Sequence, residues 1–370
     1  RKLAPVLAQH WNAIQLDQKL FRRIEDLYER REKLKLDDEQ ARLLERTYTT
    51  FVRAGARLSA KARKRVAEIN TRLAELVTQF GQNVLADEQS WRLALDDEAD
   101  LAGLPQGVRD AAARTAADLK SPAKYVITLA RSSIEPFLQF SARRDLREDA
   151  FKAWIKRGEN GGKTDNRKIV AEIVKLRAEL AKLMGYRTFA EYSLDDTMAK
   201  TPDAVRGLLN QVWSAAVKRV GEEREALWAL ARKEGGNYDL EAWDWRYLAE
   251  KERKSRYDLD EGEIRPYLQL ENMIDAAFDT ASRLFGLKFK ELADAPRYHP
   301  DVRVWEVTTK AGEPVGVFLG DYYARPSKRS GAWMSSFRAQ HKLGKGSKPV
   351  IVNVLNFARG AEGQPTLLSI

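Results

Sequence analysis

The stretch Asp301-Val302-Arg303-Val304-Trp305-Glu306-Val307 decides how the chain is read, because there a helical sequence turns to β-structure. It reads as a strand. Lys310-Ala311-Gly312-Glu313 supplies a turn, and Pro314-Val315-Gly316-Val317-Phe318-Leu319-Gly320 reads as the returning strand. Gly331-Ala332-Trp333-Met334 and a basic loop come next. Val350-Ile351-Val352-Asn353-Val354-Leu355-Asn356-Phe357 is apolar on both faces, as a strand covered on both sides would be. The sequence closes on Leu367-Leu368-Ser369-Ile370, an apolar run without a capping residue or polar tail. The expectation is a chain that leads up to a functional site rather than containing it.

Working outward, helical spacing dominates everything before this stretch. Leu20, Ile24 and Leu27 share a helix face, and Gly55 suits a left-handed cap after Phe51. Ser59 is placed to cap a helix whose stripe, Ala62, Val66, Ile69, Leu73, Leu76 and Phe80, is about five turns long. A stripe of that length is expected to form a hairpin with the preceding helix. Trp91–Leu95 and Tyr125–Leu129 look like short strands flanking one small helix. A helix is expected from near Pro136 to Lys156. The next has Thr164 as N-cap and carries Ile169, Ile173, Leu176, Leu180 and Leu183 to Gly185. Thr201-Pro202-Asp203 combines a cap, a fixed first turn and an acid near the positive helix end. Val205, Leu208, Leu209, Val212 and Ala216 form that helix's apolar face. Trp243, Trp245 and Tyr247 open another, and read as core rather than a binding platform. Leu270, Ile274, Ala277, Ala281 and Leu284 mark the last clear helix, capped by Gly286. The expected division is a helical lobe over 1–297, with short strands near 91–129, and a β-containing segment over 298–370.

Composition narrows the chemistry. At 370 residues, 44% hydrophobic and 32% charged, the chain can bury one large core or two ordinary ones. No run has the apolar length of a membrane span, and no signal peptide opens the chain. There is no cysteine, which excludes disulfides, thiolate zinc sites and a cysteine nucleophile, and fits a reducing compartment. The three histidines, His10, His299 and His341, are too far apart in sequence to share a metal at i, i+4. Lysine and arginine number 64 against 54 acids, a net +10. Most of this charge is interleaved. The exception is Arg325, Lys328, Arg329, Arg338, Lys342, Lys345 and Lys348, with no acid between them. Attraction for carboxylate-bearing ligands is the preferred reading, since no nucleic-acid recognition motif accompanies the run.

Two near misses fail on chemistry. Gly158-Glu159-Asn160-Gly161-Gly162-Lys163-Thr164 has Arg157 where a phosphate loop needs glycine, and a helix rather than a strand precedes it. Thr164 then reads as a helix cap after a flexible turn. Asp258-Leu259-Asp260-Glu261-Gly262-Glu263 has Gln269 where a calcium loop needs a bidentate glutamate.

Beyond these residues, the chain resembles the thimet oligopeptidase and oligopeptidase A family of zinc metallopeptidases, in particular its bacterial peptidyl-dipeptidase (dipeptidyl carboxypeptidase) branch. The resemblance is carried by Met198-Ala199-Lys200-Thr201-Pro202, Trp243-Asp244-Trp245 with Ala249-Glu250-Lys251, and Tyr257–Glu261 with Arg265-Pro266-Tyr267. Tyr298-His299-Pro300-Asp301-Val302-Arg303-Val304-Trp305-Glu306 and Gly320-Asp321-Tyr322-Tyr323-Ala324-Arg325 continue it, through Lys328 and Gly331-Ala332-Trp333-Met334. Val352–Phe357 and Pro365–Ser369 complete it.

The resemblance implies a mainly α fold: a multi-helix lobe of a two-lobed zincin-type peptidase, with a small β-element near the C-terminal end. In such enzymes a His-Glu-x-x-His helix and a later glutamate hold zinc, and the motif's own glutamate is the general base on the zinc-bound water. That helix follows the counterpart of Leu367-Leu368-Ser369. The expectation is therefore a fragment with no catalytic or metal-ligating residue of its own, inactive alone, zinc belonging to the intact enzyme. The intact enzyme is expected to be a cytoplasmic monomer that releases C-terminal dipeptides from short peptides, with no membrane and no specific nucleic-acid partner. The alternative is a non-catalytic helical peptide-binding protein. Zinc peptidases of this broad type lay the substrate along an exposed edge strand, which points to Ser330, Gly331, Ala332 and Trp333 as substrate-binding. Small Gly331 and Ala332 would let a ligand backbone approach while Trp333 anchors the strand from behind. The competing reading is a tight packing contact under Trp333.

Overall fold

Helix carries most of the chain, and in the C-terminal part a mixed sheet takes over. The computed structural model describes residues 2–258, 261–329, 331–360 and 363–368. The first helices are α1 (Leu3–Gln15), α2 (Gln18–Glu29), α3 (Asp38–Ala54), α4 (Ala60–Ser90), α5 (Gln106–Asp118), α6 (Arg131–Phe140) and α7 (Arg144–Ile155). They are followed by α8 (Arg167–Leu183), α9 (Phe189–Leu194), α10 (Pro202–Lys233), α11 (Ala242–Tyr257), α12 (Glu261–Ile264) and α13 (Leu270–Phe285). The strands are β1 (Arg92–Leu95), β2 (Tyr125–Thr128), β3 (Leu287–Glu291), β4 (Arg303–Thr309), β5 (Pro314–Tyr323), β6 (Trp333–Arg338) and β7 (Val350–Phe357). The mainly α fold with a small β-element near the C-terminal end is thus what the chain adopts. Contacts divide it into two compact units, Arg1–Asp87 with Arg157–Glu222, and Glu88–Lys156 with Glu223–Ile370.

In the first unit α2 packs on α3 through Phe21 and Phe51, and Gly55, at φ 102°, ends α3 where a side chain would be strained. The long stripe of α4 does not pair with α3 as the sequence suggested. Val66, Ile69 and Leu76 meet Ile169, Ile173, Leu176 and Leu180 of α8, a second stripe of matching length. Burying each such side chain contributes about 1.5–3 kcal/mol. Two Arg–Glu forks fix the antiparallel register: Arg65 Nε to Glu179 Oε1 at 2.6 Å, and Arg72 Nε to Glu172 Oε1 at 2.6 Å. Seven residues separate the partners on each helix, two turns, so the forks ride one face. Being largely solvated, they set register more than stability.

The glycine-rich segment after Arg157 is a docked turn. The Asp87 carboxylate accepts from the Gly158 N–H at 2.7 Å and from Asn160 Nδ2 at 3.0 Å. Buried Asn83 donates to Asn166 Oδ1 at 2.9 Å. Thr164 lies in a short 3-10 turn, and α8 starts only at Arg167, whose N–H is held by Asp165 Oδ1 at 2.9 Å. The expected Thr164 cap therefore does not form: Asn166 takes the N-cap position without a side-chain cap bond, and the Asp165 carboxylate receives the Arg167 N–H instead. At the start of α10, Thr201 Oγ1 does accept from the Ala204 N–H at 3.2 Å. The apolar face of α10 is exposed at Leu208, Leu209 and Val212.

In the second unit β1 and β2 pair antiparallel, Arg92 opposite Thr128 and Leu95 opposite Tyr125. Leu95, Leu101, Val108, Ile127, Ile134 and Phe137 form the core around them. The single helix expected from Pro136 to Lys156 is two, α6 and α7. Tertiary contacts hold the break open: the Ala142 N–H donates to the Ala102 carbonyl at 2.8 Å, and Arg147 Nη1 donates to the Ser141 carbonyl at 2.7 Å. Gly103, at φ 82°, passes so close that a Cβ there would lie 2.4 Å from the Phe140 oxygen. Fully buried Asp244 of α11 receives Arg144 Nη2 at 2.8 Å and Arg147 Nη2 at 3.0 Å, tying α11 to α7. The aromatic cluster around it is half-buried packing, with the Arg147 guanidinium 4.1 Å above the Tyr247 ring. Of the rejected calcium-loop stretch, Leu259 and Asp260 lie outside the described residues.

The remaining strands of this unit form one five-stranded sheet in the order β3-β4-β5-β7-β6. β3–β4, β4–β5 and β7–β6 are antiparallel, and β5–β7 is parallel. Alternation divides the faces. One buries Val304, Leu319, Val352 and Val354 with Val302; the other packs Trp305, Phe318 and Tyr322 against Leu270, Ile274 and Phe278 of α13. β7 is thus an interior strand, as its two-sided apolar pattern required.

Candidate functional site

Chain order would place β6 beside β5, yet β7 inserts between them and pushes β6 to the rim. β6 pairs with β7 in the register Trp333↔Val354, Met334↔Asn353, Ser335↔Val352 and Ser336↔Ile351, with a bulge before Arg338. Among the described residues no strand pairs its other side. All six residues of β6 are exposed, Met334 at 68% and Phe337 at 64%. An open edge presents unpaired N–H and C=O groups to any extended chain, and its long apolar side chains add contact without demanding a particular partner.

The irregular segment that delivers the chain from β5 to β6 is held by side chains rather than by a backbone ladder. Asp321, near the end of β5, is 1% exposed and lies on the same face as Leu319. Arg325 forks onto it at 2.6 and 2.7 Å, Lys328 Nζ donates to its Oδ1 at 2.9 Å, and the Tyr298 hydroxyl donates to its Oδ2 at 2.7 Å. Burial alone would raise the Asp321 carboxyl, but the hydrogen bonds from Arg325, Lys328 and Tyr298 outweigh it and bring the pKa down to about 2. Burial and the bond to Asp321 push the Tyr298 phenol up to about 12. Burial lowers the Lys328 ammonium, against the pull of Asp321. Lys328 Nζ also donates to the carbonyls of Asp321 at 2.9 Å and Tyr323 at 2.6 Å. From β7, Asn356 Nδ2 donates to the carbonyls of Arg329 at 2.8 Å and Gly331 at 2.7 Å. The Tyr298 ring in turn meets Phe337 of β6 edge-on, centroids 6.0 Å apart. A recess of about 310 Å³ opens beside it, lined by Arg297, Tyr298, His299 and Pro300.

Of the four residues expected to bind substrate, Ser330 lies outside the described residues. Gly331 turns at φ 103°, Ala332 is exposed immediately before β6, and Trp333 opens the strand opposite Val354. Trp333 is 40% exposed rather than sealed behind the strand. The basic run is less free than its sequence implied: Arg325 and Lys328 are bound to Asp321, and Arg338 Nε donates to the Lys348 carbonyl at 2.8 Å. Asp321 and Asn356 were missed. The available signal was a polar side chain inside an otherwise apolar strand, which must find partners when buried.

Residues 137–370, more than half of the chain, match the model of Peptidase family M3. The chain belongs to peptidase family M3. It is 38% identical over 363 residues to the dipeptidyl carboxypeptidase of Escherichia coli (strain K12), covering 98% of this chain and 53% of that protein. With Oligopeptidase A of the same organism it shares 33% over 371 residues, 99% of this chain and 54% of that protein. Saccharolysin of Saccharomyces cerevisiae is more distant, 25% identical over 349 residues, 90% of this chain and 48% of that protein. This M3 chain thus spans about half the length of the relatives it matches.

M3 peptidases are zinc enzymes. Among the described residues of this M3 chain no group of three or more His, Asp or Glu is placed to hold a metal ion. His10 lies in α1, His299 accepts from the Asp301 N–H at 3.2 Å through Nδ1, and His341 forms a β-bridge with Ser347. These residues do not fit the zinc. What the arrangement offers by itself is an exposed strand edge at β6.

Proposed function

We propose that the protein is a peptidyl-dipeptidase that removes dipeptides from the C-termini of short peptides. In this reading the residues described here contribute helical body and peptide-seating edge, while zinc ligands and general base belong to sequence outside these 370 residues. Kinship with dipeptidyl carboxypeptidase supports the substrate class, and the twofold greater length of the relatives supports the division of labour. The lack of cysteine fits a reducing compartment, in keeping with a cytoplasmic enzyme.

The observation that carries the proposal is the open edge of β6, whose six residues are all exposed on a strand otherwise anchored to β7. A peptide pairing there is gripped by its main chain and read only weakly by its side chains, as an enzyme for varied short peptides requires. Gly331, Ala332 and Trp333 lie at the entry to that edge, and with Ser330 they are the residues assigned to the substrate. Replacing Ala332 with proline in the full-length peptidase removes one main-chain donor. Peptide binding or turnover is then expected to weaken by about 1–2 kcal/mol, the scale of a hydrogen bond lost at a desolvated site, with the fold retained. Peptide kinetics run beside thermal melting test this. Unchanged kinetics, or loss of stability in place of a kinetic effect, would reduce the strand to scaffold.

A further inference from the structure

The segment between β5 and β6 must set the height and direction of an edge strand that has a ladder on one side only. Residues 324–329 contain no regular secondary structure. Two side chains from the neighbouring sheet and segment impose its path. An ammonium has three N–H donors. Those of Lys328 meet three acceptors, Asp321 Oδ1 at 2.9 Å, the Asp321 carbonyl at 2.9 Å and the Tyr323 carbonyl at 2.6 Å. Its side chain is 4% exposed, so it is walled off from any ligand. The Asn356 amide spends its two hydrogens on the Arg329 and Gly331 carbonyls, on either side of Ser330. Gly331 then makes the left-handed turn, at φ 103°, that hands the chain to Ala332 and β6.

We propose that Lys328, seated on Asp321 and the Tyr323 carbonyl, is a positioning residue that acts with Asn356 to hold the entry to β6 in the geometry a peptide strand needs. This rests on the reading of β6 as the peptide-binding edge. The device has a clear division. Lys328 fixes the segment to the end of β5, Asn356 fixes it to β7, and β7 is the strand against which β6 pairs. Tyr298, bonded to Asp321, also meets Phe337, so the Lys328 anchor is linked to β6 itself through that ring. Lysine suits the position because three acceptors converge on one point. The planar fork of arginine cannot serve such a point, so arginine is not an equivalent replacement.

The test compares Lys328→Met and Asn356→Ala with wild type in the full-length peptidase, using an internally quenched pentapeptide and hydrogen exchange without peptide. Both variants are expected to raise KM about tenfold with a smaller change in kcat, as misplacement of a binding strand does. Both should speed amide exchange across Trp333–Arg338 while α7 and α11 exchange as in wild type. Lys328→Arg should fail to restore KM. A drop in melting temperature with KM and β6 exchange unchanged would overturn the proposal, leaving Lys328 a stabilising residue only. If Lys328→Met does not fold, Asn356→Ala alone decides by the same two readouts. If Ala332→Pro alters peptide kinetics but neither anchor variant does, the positioning role falls alone; if Ala332→Pro also has no effect, the reading of the edge falls with it.

Discussion

Asp321→Asn strips the charge from the centre of the network beneath β6 while leaving its shape nearly intact. The carboxylate accepts two bonds from Arg325, one from Lys328 and one from Tyr298. Two routes give the cost. A carboxyl brought from an ordinary value near 3.9 to about 2 stabilises the folded state by about 2.5 kcal/mol at neutral pH. Removing one partner of a buried pair costs about 3–5 kcal/mol, because the other charge stays behind. Arg325, 15% exposed, can turn toward water, whereas Lys328 at 4% cannot. Lys328 keeps two carbonyl acceptors, so a loss of about 3 kcal/mol is expected, at the low end of that range. Urea denaturation followed by circular dichroism, with midpoints compared at constant slope, measures it. The double variant Asp321→Asn/Lys328→Met should recover at least about 1 kcal/mol of the summed single losses, since the stranded charge is gone. A loss below about 1 kcal/mol, or strict additivity in the double variant, would refute the reasoning.

Three further outcomes follow from the same structure. The stability contributed by Asp321, whose pKa is depressed, is present above its unfolded value and lost as pH falls through about 2. The gap between wild type and Asp321→Asn should therefore narrow by about 1 kcal/mol between pH 6 and pH 3, as urea titrations at both pH values would register. Asp244→Ala leaves Arg147, 1% exposed, without its counter-charge and should cost about 3–5 kcal/mol in the same assay. Gly103→Ala adds a Cβ 2.4 Å from the Phe140 oxygen at a positive φ, and should lower stability by about 2 kcal/mol or more, read by thermal melting.

The sequence made local periodicity legible and long-range partnership much less so. β7 begins and ends at Val350 and Phe357, where its two-sided apolar run does, and the β4 turn β5 sequence lies within two or three residues of its expected place. β3 escaped notice because Leu287-Lys288-Phe289-Lys290-Glu291 is short, with three charged residues in five, and its pairing with β4 completes it as a strand. The partner of the α4 stripe was misjudged for a related reason: α3 and α8 both offer an apolar face, and nothing local says which returns to α4. The break between α6 and α7 depends on Gly103 and Arg147 meeting the backbone at Phe140–Ser141, a tertiary contact invisible to propensity. At the candidate site, residue types and small size pointed to Gly331-Ala332-Trp333, but the edge position of β6 comes from β7 inserting beside β5. The anchors Lys328, Asp321 and Asn356 were masked by the basic run, which suggested free charge where the fold has paired it.

The central claim, that a peptide pairs along β6, is tested most directly by hydrogen exchange in the full-length peptidase with and without a slowly cleaved pentapeptide. An added strand closes outward-pointing main-chain groups, so alternate amides within Trp333–Arg338 are predicted to slow by about tenfold or more on peptide addition. Peptide binding that leaves the β6 amides unchanged while slowing others would contradict the account.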